Sequence, residues 1–337
     1  MLALDRLQSL LNTLPRLTIG LVGDLFLDRY LHVALDEMET SLETGLEAYQ
    51  IDRVRNAPGA LGTVMNNLAA LGVGLLVPVS VIGDDGHGYD LLRELGRLPV
   101  DKGQLLCSRE RLTPTYTKPL RRDAQGVWQE LNRLDVRTRA PLSPEATAEV
   151  CRRLAAVFHS SDGLIVLDQI VADEQGVINS EVRATLRELA QAAPEKLIFV
   201  DSRAHLSRLE SVTLKCNRSE LAALAPQHSP AALRECALTL AERNQRTVFV
   251  TQGEEGVLVA QPDGTTTLTP AFVVEGPIDI VGAGDSCTSG IVAALLAGAS
   301  DCEAAEVGNL VASITIEQLG ETGTATPAQI LARRQES

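Results

Sequence analysis

A mainly parallel α/β sheet with helices on both faces, carrying a small β-sheet lid, is the fold class this sequence predicts. Three observations point to it. Short apolar runs alternate with segments of helical periodicity along most of the chain. Several of these runs, Leu75 to Ile82 among them, are apolar almost throughout, as strands covered on both faces should be. Two segments, 31–55 and 113–134, break the rhythm with alternating stretches such as Tyr116, Lys118 and Leu120 and with little helical pattern.

Taken in order, Met1 to Leu17 has an amphipathic helical pattern built on Leu2, Leu4, Leu7, Leu10, Leu11 and Leu14. It carries Asp5 and lacks a basic leader and a small-residue cleavage site, so it does not read as a signal peptide. Leu17 to Val22 is an expected strand ending at Gly23-Asp24, and Ala57 to Leu71 opens with Pro-Gly and continues as a helix. Strand 75–82 and helix 90–98 follow. After the second lid segment come helix 145–158, strand 163–167, helix 180–192 and strand 196–200. Helices at 219–224 and 230–243 precede strands at 247–250 and 256–260, and a small-residue helix runs from Cys287 to Gly298. The lid segments are insertions into one domain spanning 1–337, because no Pro/Ser-rich linker separates them from the rest.

Composition narrows the class further. The chain has 337 residues, of which 45% are hydrophobic and 22% charged, the balance of a soluble globular protein. Aromatics are only 3%, so the core must come from Leu, Val, Ala and Ile. A formal net charge of −14 argues against nucleic acid or anionic membrane as the main partner. No apolar run reaches the roughly 18 residues of a membrane span. Six scattered cysteines show neither Cys-x-x-Cys nor zinc spacing, which fits free thiols in a cytoplasmic protein.

The most informative stretch is Asp279-Ile280-Val281-Gly282-Ala283-Gly284-Asp285-Ser286. A helix N-terminus leaves N–H groups unpaired and carries partial positive charge. Gly282, Ala283 and Gly284 let an anion approach those groups closely. Asp285 beside a bound anion is a poor ligand and a good candidate base for a hydroxyl attacking a phosphoryl group. Taken alone, the same residues could be an ordinary capped helix start. Polar groups follow several expected strands directly: Asp24, Asp84-Asp85, Asp168, Asp201 and Thr251-Gln252-Gly253. In an open parallel sheet such ends form one ligand-binding edge.

Asp279 to Asp285 resembles the C-terminal signature of the ribokinase-like, PfkB-type carbohydrate kinases, with Ile280 in place of the usual Thr. Gly20 to Asp28 is similar to that family's opening motif, and Pro58 to Gly72 to its N-terminal signature. There Ala60 replaces the second Gly, and Thr63 stands where Asn is usual. The resemblance runs from about Leu17 to Thr326. It implies a ribokinase-like fold, with the two insertions as lid, and phosphoryl transfer from ATP to a sugar or sugar-phosphate hydroxyl. Asp285 would be the base, and Gly282, Ala283 and Gly284 the anion hole.

The acceptor would be held by Asp24, Asp28, Gly59, Thr63 and Asp168. Lys118 and Arg133 are similar to lid residues of one branch, the kinase half of ADP-heptose synthases. They would bind a phosphate already on the acceptor, or else be solvated charges on exposed strands. Asn217-Arg218-Ser219-Glu220 matches the family's Asn-x-x-Glu motif, which organises Mg²⁺ largely through water, although Glu220 also suits a first helical turn. Thr251, Gly253, Gly256, Asp279 and Asn309, with Asn217, fall on expected nucleotide positions, and Gly320 to Thr326 resembles the tail closing that pocket.

D-glycero-β-D-manno-heptose 7-phosphate is the leading acceptor by resemblance. A monovalent cation is compatible with it. Exposed lid edges lead us to expect a homodimer paired through the lids. Another sugar or a nucleoside as acceptor, or a non-catalytic binding protein, are the competing readings. The chain has no Gly-x-x-x-x-Gly-Lys-Ser/Thr loop and no Gly-x-Gly-x-x-Gly after its first strand.

Overall fold

The computed structural model describes residues 2–34, 39–123, 125–225, 229–320 and 322–336. Residues 35–38 and 124 of the expected lid segments, and Glu321 of the expected closing tail, lie outside the described residues.

The strands of the large sheet are β1 (Thr18–Gly23), β6 (Leu75–Gly83), β7 (Leu105–Ser108), β11 (Gly163–Asp168), β12 (Leu197–Ser202), β13 (Thr213–Asn217), β14 (Val248–Thr251), β15 (Val257–Ala260) and β16 (Thr266–Thr269). Their order is β16-β15-β14-β13-β12-β11-β1-β6-β7. Pairing is parallel from β7 across to β14, and antiparallel for β14-β15 and β15-β16. The small sheet contains β2 (Leu25–Val33), β5 (Ile51–Ala60), β8 (Thr115–Arg122), β9 (Trp128–Glu130) and β10 (Leu134–Val136). A two-residue pairing of β3 (Glu39–Thr40) with β4 (Glu47–Ala48) stands apart from it.

Alternation within the strands decides which side each residue serves. Ile165 and Leu167 of β11 join one apolar core, while Leu164 and Val166 join the other. The first core is closed by α1 (Leu4–Thr13), α2 (Leu61–Ala70), α3 (Gly86–Leu95), α8 (Ala283–Leu296), α9 (Asp301–Thr315) and α10 (Pro327–Glu336). The second is closed by α4 (Pro144–Ser160), α5 (Ser180–Ala192), the short α6 (Arg218–Ala222) and α7 (Pro230–Asn244). This is a sheet with helices on both faces, as expected, and phenylalanines supply little of its core.

The small residues of α8 have a packing reason. A Cβ on Gly290 would stand 2.9 Å from the Gly308 Cα of α9, so the two helices touch backbone to backbone. The segment after Pro58-Gly59 differs from expectation. Strand β5 continues through Ala60, and the helix begins only at Leu61. Backbone pairing with β2 explains this. Leu25 to Asp28 pair with Ala57 to Ala60, so the signature is held as a strand edge of the small sheet before the chain turns into α2. The turn forces Ala60 to φ 53°, ψ −115°, a region glycine favours. The family's usual second Gly, which this chain lacks, suits that conformation.

Among the described residues, no helix is long and apolar enough to cross a membrane.

Candidate active site

The site is built around the start of α8. Gly282 is its N-cap, at φ 81° and ψ 0°. The Ala283 N–H is spent on the Ile280 carbonyl (3.1 Å), and the Ser286 N–H on Gly282 O (2.9 Å). Among the described residues, the N–H groups of Gly284 and Asp285 have no intramolecular acceptor. The donors left open to an anion are thus Gly284 and Asp285 and not Ala283, and they lie on the positive end of a four-turn helix.

Asp285 is partly buried in that first turn. Burial, and then the nearby Asp201 carboxylate, push its carboxyl up to about 7, against the opposing pull of Lys215 and Arg203. Lys215 lies directly beneath, since a Cβ on Gly284 would stand 3.3 Å from its Nζ. Lys215 and Asp201 are register partners on β13 and β12. The ammonium donates to Asp201 Oδ2 at 2.7 Å, and Thr288 of α8 donates to the same oxygen at 3.0 Å. Burial pulls the Lys215 pKa down, but Asp201 and the neighbouring thiol and carboxylate outweigh it, so the amine stays protonated. A buried ion pair therefore ties α8 to the carboxyl edge of the sheet.

On the acceptor side, the residues separate into two groups. Asp28 packs on Gly59, where a Cβ would come within 2.6 Å of Asp28 Oδ2, and pairs with Lys118 at 3.3 Å. Burial pulls Lys118 down, but Asp28 and Tyr30 raise it above its ordinary value. Thr63, buried in the first turn of α2, stands against the anion hole, 3.6 Å from where a Gly282 Cβ would be. Arg133 is farther out. It makes a two-pronged pair with Asp135 (2.7 and 3.0 Å) and stacks over Tyr116 at 4.3 Å.

Asp24 and Asp168 have other partners. Asp24 accepts three backbone N–H groups, from Gln169 (3.1 Å), Ile170 (3.1 Å) and Val177 (2.8 Å). Burial raises its pKa, and the adjacent Asp168 adds to that. Asp168 Oδ2 receives Ser202 Oγ at 2.7 Å and His205 Nδ1 at 2.8 Å. Both carboxylates thus hold loops at the strand ends, leaving less capacity for ligand hydroxyls than their positions suggest.

On the nucleotide side, Asn217 and Glu220 form a reciprocal capping box at the start of α6, with Asn217 N–H to Glu220 Oε2 at 2.7 Å and Glu220 N–H to Asn217 Oδ1 at 2.9 Å. Burial raises the Glu220 pKa. One Glu220 oxygen remains for a water-mediated Mg²⁺ contact, and a site of that kind needs few protein ligands. Among the described residues, no cluster of three or more His, Cys, Asp or Glu forms a conventional metal cage.

Thr251, Gly253 and Gly256 lie on the turn between β14 and β15, with both glycines at positive φ (60° and 100°). Asp279 caps its own loop, accepting Val281 N–H at 3.0 Å and Gly320 N–H at 3.1 Å. Asn309 spends its amide on the Thr269 and Pro270 carbonyls, both at 3.0 Å, and so ties α9 to the end of β16.

Sequence reasoning missed Lys215. The signal was available as a lone lysine inside the apolar run Thr213 to Cys216, immediately before Asn217.

A helix N-terminus with two unpaired N–H groups among the described residues, a carboxylate pushed up to about 7 and a buried lysine beneath them stand together here, a combination able to stabilise an anionic group beside a base. The chain matches the model of the pfkB family of carbohydrate kinases over residues 30–329 and belongs to that family. It is 29% identical to a bifunctional protein HldE of Trichlorobacter lovleyi over 96% of this chain and 64% of that protein. It is 30% identical to one from a Caulobacter species over 94% and 62%. The chain therefore spans a little under two thirds of the length of these relatives.

Its fold is that of Arabidopsis thaliana ribokinase complexed with ribose and ATP, with a TM-score of 0.68 at 16% identity over 95% of this chain and 99% of that one. Phosphofructokinase-2 from Escherichia coli is similar at TM-score 0.69 and 19% identity, over 95% and 99%. The chain thus joins a ribokinase-like fold to membership of a carbohydrate kinase family.

Proposed function

We propose that this protein transfers the γ-phosphoryl group of ATP to a hydroxyl of a sugar phosphate, with Asp285 as general base. The observation that carries the reading is Asp285 itself: its carboxyl, pushed up to about 7, stands in a helix turn where the Gly284 and Asp285 N–H groups have no acceptor among the described residues. A base is most effective when its pKa lies near the working pH. Asp285 takes the proton from the acceptor hydroxyl as that oxygen bonds to phosphorus. The bond from the γ-phosphorus to the β–γ bridging oxygen breaks, and ADP leaves.

The Gly284 and Asp285 N–H groups, with the α8 dipole and the Lys215 ammonium behind them, stabilise the charge on the moving group. Asn217 and Glu220 would hold Mg²⁺ mainly through water, where it would supply charge neutralisation on the nucleotide phosphates. Gly253, Gly256 and Thr251 line the nucleotide side in this reading, and Asp279 and Asn309 shape it through the backbone. Asp28, Gly59, Thr63 and Lys118 hold the acceptor, with Asp24 and Asp168 positioning the loops around it. The small sheet acts as a lid that excludes water, and its exposed strands pair two copies into a homodimer.

The preferred acceptor is D-glycero-β-D-manno-heptose 7-phosphate, supported by the likeness to the HldE proteins over almost the whole of this chain. ADP release with Mg·ATP across free and phosphorylated sugars, heptose 7-phosphate included, tests the proposal, with Asp285→Asn as control. Turnover that depends on a phosphorylated acceptor and vanishes in the control is expected. Turnover with only an unphosphorylated sugar or a nucleoside would overturn the acceptor class, and near-normal rates in the control would overturn the base.

A further inference from the structure

We infer that Arg111, which lines a cavity between the end of β7 and the start of α4, is the anchor for the phosphate ester that the acceptor already carries. The inference rests on the kinase reading above and names the subsite within it. The two cations expected to do this from sequence are already engaged: Lys118 pairs with Asp28, and Arg133 makes a two-pronged pair with Asp135.

Arg111 is different. Its Nη2 donates to the Gln175 carbonyl at 3.1 Å, while Nε and Nη1 are buried without a hydrogen-bond partner among the described residues. Burial lowers its pKa, and Asp24 opposes that only as a distant charge. A desolvated guanidinium with two unspent nitrogens is costly unless an anion completes it.

The surroundings suit an anion. Arg111 lines a cavity of about 480 Å³ together with Arg137, Thr138, Arg139 and the N-cap of α4, Ser143. The Thr138 hydroxyl is likewise buried without a partner. The positive end of the 17-residue α4 opens at the same place. Two carboxylates also line the cavity, and one of them, Asp135, is engaged by Arg133 and Arg137.

What links Arg111 to the acceptor side is Asp24 and the loop the two residues share. Arg111 and Asp24 feel each other's charge, and both hold the same 169–177 loop, through Gln175 and through Gln169, Ile170 and Val177. Nε and Nη1 are closed off from solvent, so the inference requires the Arg111 side chain to turn toward the cavity when an anion binds. A dianionic phosphate monoester takes up the guanidinium's two free N–H directions and the Thr138 hydroxyl.

The test uses the full chain and reads binding as well as turnover. Calorimetry on wild type, Arg111→Gln, Arg111→Lys and Thr138→Val would titrate inorganic phosphate, then one sugar in free and 7-phosphorylated form, with circular dichroism to verify folding. The expected result is a loss of affinity for the phosphorylated sugar of about 100-fold in Arg111→Gln and about tenfold in Arg111→Lys. Thr138→Val should lose several-fold, and inorganic phosphate should compete with the phosphorylated sugar.

Unchanged affinity for the phosphorylated sugar in folded Arg111→Gln would overturn the inference. So would an equal loss for the free sugar, or phosphate binding at Arg111 that does not compete with the acceptor, which would mark a separate effector site. If no sugar phosphate is turned over by wild type, the kinase reading has failed. The phosphate titration then decides separately whether Arg111 holds an anion: phosphate binding lost in Arg111→Gln would support the anion site, and binding unchanged would overturn it.

Discussion

Replacing Asp285 by Asn should abolish turnover and at the same time make the protein more stable, by an amount that depends on pH. The carboxyl rises from an ordinary 3.8 to about 7 in the folded state. At 1.36 kcal/mol per pKa unit, that is about 4 kcal/mol against the charged form. Partial exposure of the side chain reduces this to about 2–4 kcal/mol.

The sign follows from proton counting. Between the unfolded and folded pKa values the native protein binds more protons than the unfolded chain, so stability falls as pH rises through that window. Below about pH 3.8 both states are protonated and the carboxyl adds no penalty. Above about 7 the full penalty is present. Asparagine never ionises and never incurs it.

With an unfolding entropy of about 2.1 cal/mol/K per residue over 337 residues, 1 kcal/mol shifts Tm by about 1.4 °C. The Asn variant should therefore melt about 3–6 °C higher at pH 8 and close to wild type near pH 4. Calorimetry at these two pH values, paired with ADP-release rates, measures both effects. The loss of a general base should cost about 10²–10⁴-fold in kcat, and the wild-type rate should rise with pH along a limb near 7. A variant less stable than wild type at pH 8, or a wild-type rate flat from pH 5 to 8, would refute the account of Asp285 as a base whose charged form the fold disfavours.

Lys215→Met leaves Asp201 buried without its ion-pair partner and should cost about 3–5 kcal/mol by urea unfolding. In whatever folded fraction remains active, the acidic limb of the pH–rate profile should move up, because Lys215 now helps to hold the Asp285 pKa down. Asp24→Ala frees three backbone N–H groups in the 169–177 loop. It should destabilise by about 3–5 kcal/mol, with faster amide exchange at Gln169, Ile170 and Val177; unchanged exchange there would contradict the clamp. Ala60→Gly should raise stability by about 0.5–1 kcal/mol, since φ 53°, ψ −115° strains an alanine. A loss of stability on that change would show that the strain is absent.

The fold class was legible because burial on both faces writes itself into short apolar runs, and the helices between them into period 3.6. The boundaries were less legible where two elements compete for one segment. Pro58 to Ala60 read as the lead-in to a helix, yet these residues are held in the small sheet by Leu25 to Leu27, more than thirty positions earlier. Strand β7 and the antiparallel pair partner β16 were not foreseen, since short edge strands such as Thr266–Thr269 alternate too briefly to register. The Gly282 to Asp285 stretch was legible because anion binding at a helix start needs small residues in an unbroken local order.

By itself, the sequence determined the α/β architecture, the family, and the local devices that a few consecutive residues can specify: the Gly282 turn, the Asn217–Glu220 capping box and the Thr251 to Gly256 hairpin. Tertiary structure alone decided which charges meet. It set Lys215 against Asp201 through the β12–β13 register, and it spent Asp24 on a loop some 145 residues further on. It also left Arg111 with two nitrogens unused among the described residues, beside a cavity. Secondary structure follows from periodicities within about ten residues, whereas the partner of a buried charge depends on how distant strands align, and composition does not encode that alignment.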